Sequence, residues 1–273
     1  MTDQEARYDR IASGYARWWA PVLAPAVTEL LDEVAGALTG RERVLDIGTG
    51  TGQLALGAVT RWPSVSVVGI DPSSGMRALA DRDADERLGP GDRHRLETIT
   101  AQADALPFDD GTFDAALSSF VLQLVPNRAR ALREARRVLR PGGLLGYVSW
   151  LDDAGHFLPD SIFDEVLEQE GLEARGSDGP SADVPSVKRA AGELRAAGFA
   201  AVVARRGRLV HRFTVERYVS FLTDFDEEAL FSELDADVRE RLLRALRRRL
   251  SALSRDDLTM RFPIVFASGR RSR

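Results

Sequence analysis

The chain has 273 residues, of which 44% are hydrophobic, 29% charged and 7% aromatic, and its formal net charge is −5. This is the profile of a folded globular protein long enough to bury a large core, not of a disordered or fibrous chain. There is no cysteine, which excludes disulfides, thiolate zinc sites, iron–sulfur clusters and cysteine nucleophiles.

Histidine is scarce (His94, His156, His211), so no metal site is expected. The acidic balance argues against a nucleic-acid partner. Lys188 is the only lysine, and its context suits neither a Schiff base nor a phosphate loop. The apolar runs are too short for a membrane span. The first fifteen residues carry both signs of charge and no apolar signal region, so a cytoplasmic location is expected.

Residues 2–38 read as two helices broken near Pro21 and Pro25. Residues 43–47 form a short apolar run that stops at Gly48, which predicts a strand. A helix follows over 54–61, then a buried-type strand over 65–70, closed by Asp71-Pro72. Ser73 or Ser74 can cap the next helix, which runs to about residue 87. Residues 89–91 are a loop. Strands are predicted over 96–100 and 113–119, a helix over 128–139 and a strand over 144–150. This alternation implies right-handed βαβ units and a parallel sheet covered on both faces.

The rhythm breaks at 151–185, an acidic, Gly/Pro-containing insertion with a short helix over 161–169. A helix is expected over 186–197 and a long strand over 201–213. Residues 214–253 read as two helices, and 258–268 as a final strand. Within 239–249, arginines alternate with Leu242, Leu243 and Leu246 at helical spacing, which predicts an amphipathic helix with a solvated basic face.

The sharpest feature is Asp46-Ile-Gly48-Thr49-Gly50-Thr-Gly52, placed where a strand ends and a helix begins. Glycines there let the backbone turn tightly and approach a ligand closely, and the helix start offers free N–H groups. Asp71 ends the next strand, where an acid can accept both hydroxyls of a ribose; as a bland alternative it caps a turn. The spacing also fits a nicotinamide dinucleotide. Two features favour S-adenosylmethionine. Asp46 would oppose a pyrophosphate but can accept from an ammonium group. The glycines run G-x-G-x-G and not G-x-G-x-x-G.

Four motifs then occur in order: Val44-Leu-Asp-Ile-Gly-Thr-Gly-Thr-Gly52, Gly69-Ile-Asp-Pro-Ser-Ser-Gly-Met76, Ala103-Asp-Ala-Leu-Pro-Phe-Asp-Asp-Gly-Thr-Phe-Asp114 and Arg137-Val-Leu-Arg-Pro-Gly-Gly143. Together they resemble the class I S-adenosylmethionine-dependent methyltransferases, most closely the small-molecule branch that includes the ubiquinone and menaquinone biosynthesis enzymes. The likeness covers about residues 8–150. It implies an α/β fold with a Rossmann-like, seven-stranded, mostly parallel sheet, an antiparallel last strand, helices on both faces and a helical cap. The implied plan is a single domain over 1–273. It has an N-terminal helical lid (1–40), a cofactor-binding core (41–150), cap insertions (151–185 and 214–256) and segments completing the sheet (186–213 and 257–270).

The resemblance also implies roles. Asp46 and the loop from Gly48 through Thr49, Gly50 and Gly52 to Gln53 would hold the methionine end of S-adenosylmethionine. Asp71, followed by Pro72, would bind the ribose, and Met76 would pack near the adenine. Asp104 would accept from the adenine amino group and Ala105 would offer a backbone N–H. Ser119, Phe120 and Leu124 would line the site, and Tyr8 and Tyr15 belong to a segment that closes over the cofactor in relatives. Gln123 stands where relatives often carry a histidine.

A general base is needed only if the acceptor must lose a proton. His156 is the candidate catalytic residue. The expected activity is methyl transfer to an oxygen, nitrogen or carbon of a small-molecule acceptor, secondary metabolites included, by a monomer or homodimer. The competing expectation is a cofactor-binding scaffold, or a protein of this fold that catalyses a different reaction.

Overall fold

The computed structural model describes residues 3–38, 40–152, 156–173 and 183–272. They divide into two compact units: residues 1–152, 182–207 and 263–273, and residues 153–181 and 208–262.

In the first unit, α1 (Asp3–Gly14) passes through a π-helical turn (Tyr15–Trp19) into α2 (Ala20–Ala35). The break therefore falls before the prolines. Pro21 lies in the first turn of α2, where its missing N–H costs nothing, and Pro25 is carried inside the helix. There follow β1 (Arg43–Ile47), α3 (Gln53–Arg61), β2 (Ser66–Ile70), α4 (Ser74–Arg87), β3 (Leu96–Ile99), β4 (Phe113–Ser119), α5 (Arg128–Val138) and β5 (Leu139–Trp150). After the insertion come α7 (Val187–Ala196), β6 (Phe199–Arg212), of which residues up to 207 belong to this unit, and β7 (Thr259–Arg271), of which residues from 263 belong to it. The helix between β5 and α7 is α6 (Leu158–Gln169), in the second unit.

The seven strands lie in the order β3-β2-β1-β4-β5-β7-β6. β1 pairs in parallel with β2 and β4, β2 with β3, and β4 with β5. β7 runs antiparallel to β5, as expected of the last strand. Successive residues of a strand face opposite ways. Leu45, Ile47, Leu145 and Tyr147 thus join Leu132, Ala135 and Leu194 of α5 and α7 in one buried cluster. The alternate positions face α2: a Cβ on Gly146 would meet Val34 at 3.0 Å and Leu30 at 3.6 Å. Both faces of the sheet are covered, so the strand ends are where backbone and polar groups stay accessible to a ligand.

In the second unit, residues 214–253 form three helices where two were expected: α8 (Val215–Phe221), α9 (Glu228–Glu233) and α10 (Ala236–Leu250), with a π-helical turn at Leu222–Asp226. Leu242, Leu246 and Leu250 are buried on one stripe of α10. On its solvent side, Arg241 pairs with Glu170 at 3.3 Å, Arg247 with Glu216 at 3.3 Å, and Arg249 with Glu165. Phe157, Phe213, Tyr218 and Phe221 pack edge-on, tilted and, for Tyr218 on Phe221, stacked, at centroid distances of 5.6–6.4 Å, and the Tyr218 hydroxyl donates to Asp160 at 2.6 Å. Among the described residues no helix is long and apolar enough to cross a membrane.

Candidate functional site

The C-terminal ends of β1, β2 and β4 open into one cavity of about 1190 Å³, its open mouth included. The loop between β1 and α3 forms its floor. Gly48 and Gly50 take positive φ (72° and 52°), which side chains other than glycine adopt only under strain. The two differ in what surrounds them. A Cβ on Gly48 would come within 2.3 Å of Val121, so the β4 turn presses directly on the loop. A Cβ on Gly50 would meet nothing within 4 Å, so the crest of the loop faces open space. The loop is pinned by Thr49 N–H to the Ile70 carbonyl at 2.8 Å and by Gly52 N–H to the Thr49 carbonyl at 2.8 Å.

Asp46 is 1% exposed. Its Oδ2 accepts from the Thr49 hydroxyl at 2.8 Å, while its Oδ1 has no hydrogen-bond partner among the described residues. Burial pushes this carboxyl up to about 7, against the opposing effects of the Thr49 bond and of the Ala55 backbone N–H. A buried carboxylate oxygen without a donor is costly unless a ligand completes it. Asp71 stands across the loop. Its Oδ2 accepts from Gly50 N–H and its Oδ1 from Ser73 N–H, both at 2.9 Å. Burial raises its pKa and these two amides hold it down. Each oxygen keeps a further lone pair for a hydroxyl donor.

Ser73 caps α4, its hydroxyl accepting from Met76 N–H at 3.1 Å, and Met76 is buried against the cavity. Tyr8 and Tyr15 meet edge to face at 6.3 Å and close another side; burial raises both phenols. The structure therefore brings together Tyr15, Asp46, Gly48, Thr49, Gly50 and Gln53 with Asp71, Pro72, Met76, Ser119, Phe120 and Leu124 around one space.

Gly52, Asp104, Ala105 and His156 are not part of the cavity lining. Gly52 lies under the loop, where a Cβ would meet Ala80 at 2.9 Å. Ala105 N–H is donated to the Gln102 carbonyl at 3.1 Å, and in that turn Gln102 and Ala103 line the cavity. His156 is exposed and belongs to the second unit. The sequence reading missed Ala101, Gln102, Val121 and Leu23 as lining residues. Gln102 and Val121 are direct neighbours of motif positions, but Leu23 comes from α2 and carries no local signal. No group of three or more His, Asp or Glu side chains suited to a metal occurs among the described residues.

Residues 45–146 match the family model for the methyltransferase domain. Over these residues the chain is thus similar to a methyltransferase domain. The ubiquinone/menaquinone biosynthesis C-methyltransferase UbiE of Geobacter sp. (strain M21) is 42% identical over 107 residues, which are 39% of this chain and 44% of that one. The chain thus aligns with less than half the length of this relative. Among solved structures, the [4+2]-cyclase SpnF superposes with a TM-score of 0.59 at 23% identity, covering 92% of this chain and 82% of that one. A phosphoethanolamine N-methyltransferase of Haemonchus contortus, solved with S-adenosylhomocysteine, gives 0.55 at 17% identity, covering 91% and 53%. At these identities the two structures establish the shared fold.

The likeness to methyltransferases implies S-adenosylmethionine as the cofactor. The residues present fit it: the unpartnered Asp46 Oδ1 suits an ammonium donor, the open crest at Gly50 admits a ligand, and Asp71 offers acceptors to hydroxyls.

Proposed function

We propose that this protein transfers a methyl group from S-adenosylmethionine to an oxygen, nitrogen or carbon of a small-molecule acceptor. The observation that carries the reading is the pairing of Asp46, with one oxygen unpartnered, and Asp71 across an open glycine loop in a matched methyltransferase domain. When bound, the cofactor supplies a sulfonium-activated methyl group, and the protein supplies binding and orientation.

In this reading Asp46 and the segment from Gly48 to Gln53 hold the methionine end, Gly52 by seating the loop. Asp71 and Pro72 hold the ribose, and Met76 packs near the adenine. Asp104 is the acceptor for the adenine amino group, in the turn whose Gln102 and Ala103 line the cavity, whereas the Ala105 N–H is engaged by the Gln102 carbonyl. Tyr15, Ser119, Phe120 and Leu124 shape the remaining walls. The motif-poor segments, 151–185 and 214–256, are where acceptor selectivity is to be sought, and His156 is the candidate base for an acceptor that must lose a proton. The reading takes the protein as a cytoplasmic monomer or homodimer, and the net charge of −5 agrees with the lack of a nucleic-acid partner. The alternative of a scaffold or of a non-methylating catalyst has no specific observation in its favour.

Calorimetry with S-adenosylmethionine, S-adenosylhomocysteine and NAD tests the reading. The first two are expected to bind, and Asp71→Ala to weaken them at least about tenfold, since a charged hydrogen bond is worth roughly 1.5–3 kcal/mol. Binding of NAD alone would overturn it. Transfer of labelled methyl to candidate acceptors then identifies the acceptor, and His156→Ala is expected to lower turnover without changing cofactor affinity.

A further inference from the structure

Phe120 lines the cavity with its backbone in the left-handed region, at φ 55°. Aromatic residues take this conformation rarely, and it persists only where the surroundings enforce it. The enforcement is visible. Phe120 N–H donates to the Val148 carbonyl at 2.9 Å, and the Phe120 carbonyl accepts from Gln123 Nε2 at 2.7 Å. Gln123 is in turn held from its other end, because the Ser149 hydroxyl donates to its Oε1 at 2.8 Å. Gln123 is 7% exposed and Ser149 is fully buried, so the amide's orientation is determined by two partners away from water.

The turn held in this way bears on the cavity at two points. The Phe120 ring packs on Trp150 at a centroid distance of 4.4 Å. Val121, the next residue, presses on Gly48 of the glycine loop. We infer that Gln123 is a positioning residue: with Ser149 it clamps the strained Phe120 backbone, and through Phe120 and Val121 it sets the wall and floor of the cofactor cavity. Its side chain is committed to this clamp and does not line the cavity, so it takes no part in proton transfer. The inference rests on the cofactor reading above.

The test is a double-mutant cycle read by calorimetric affinity for S-adenosylhomocysteine, with thermal unfolding followed in parallel. Gln123→Met keeps the length of the side chain and removes both hydrogen bonds. It is expected to weaken binding about tenfold, the effect of leaving two buried polar groups unpaired beside the cavity. Phe120→Gly places at that position a residue with no left-handed strain. In that background the further loss from Gln123→Met is expected to shrink to about twofold or less, which a merely packing role would not produce. Ser149→Ala frees one end of the amide and is expected to weaken binding by a smaller factor; it carries the test if methionine is not tolerated. A Gln123→Met protein that binds as tightly as wild type overturns the inference, as does an equal loss in both backgrounds. Wild-type protein that does not bind S-adenosylhomocysteine overturns the cofactor reading, and the inference with it.

Discussion

The Asp9 carboxylate accepts a hydrogen bond from the Ser73 hydroxyl at 2.6 Å, and with it ties α1 to the first turn of α4. The same carboxylate oxygen accepts from Gly75 N–H at 2.8 Å. Ser73 N–H is the donor that orients Asp71. A short polar chain thus runs from the helix that carries Tyr8 to the acid proposed to bind the ribose. An acid at a helix start also meets the positive end of the helix dipole.

Asp9→Ala is therefore expected to loosen α1 and weaken S-adenosylhomocysteine binding several-fold, with faster protease cleavage near residues 14–20. The Ser73 and Gly75 bonds hold the Asp9 carboxyl below its ordinary value. For a depressed carboxyl, the stabilising contribution is present above the unfolded pKa and is lost as pH falls through the folded one. Protection of α1 should accordingly weaken on acidification below about pH 4 in the wild type, and not in Asp9→Ala.

Asp46 shows the opposite sign. Its carboxyl is raised from 3.8 to about 7, so the folded, ligand-free protein prefers the neutral form. Stability of that form is expected to fall as pH rises from 3.8 to about 7 and to level off above. Asp46→Asn removes this cost, so its melting temperature should exceed that of the wild type at about pH 8 and approach it at about pH 4. The same variant should bind S-adenosylmethionine at least about tenfold more weakly, because the amide cannot offer a charged acceptor to an ammonium group. A variant that melts lower than wild type at the higher pH would contradict the assignment.

Gly48→Ala and Gly50→Ala separate fold from ligand contact. Both meet the cost of a positive φ, roughly 1–2 kcal/mol. At Gly48 the new methyl also collides with Val121 at 2.3 Å, so this variant should lose markedly more stability than the other. At Gly50 the methyl enters open space. That variant should stay folded, with its main defect in cofactor affinity. Equal melting temperatures for the two would count against this description of the loop.

In the second unit, Tyr218→Phe removes the hydroxyl that donates to Asp160 and leaves the packed ring in place. The expected loss is about 1–2 kcal/mol, read by chemical denaturation. The Asp160 carboxyl, already raised by burial, loses an opposing hydrogen bond and should rise further.

By itself the sequence determined the alternation of strands and helices and the parallel character of the sheet, because hydrophobic period and glycine–proline punctuation are local properties. It also marked the strand–glycine–helix turn from Asp46 to Gln53 and the acid at the end of β2, since contiguous residues carry that chemistry. What joins residues far apart was decided only in the tertiary structure. Asp9 meets Ser73 across 64 positions and Ser149 meets Gln123 across 26. The prolines predicted to break the first helices are accommodated, and a π-helical turn supplies the break. The left-handed backbone of Phe120 has no signature in its own residue type, which disfavours it. Such features arise where packing and buried hydrogen bonds override local preference, and only the folded chain brings those partners together.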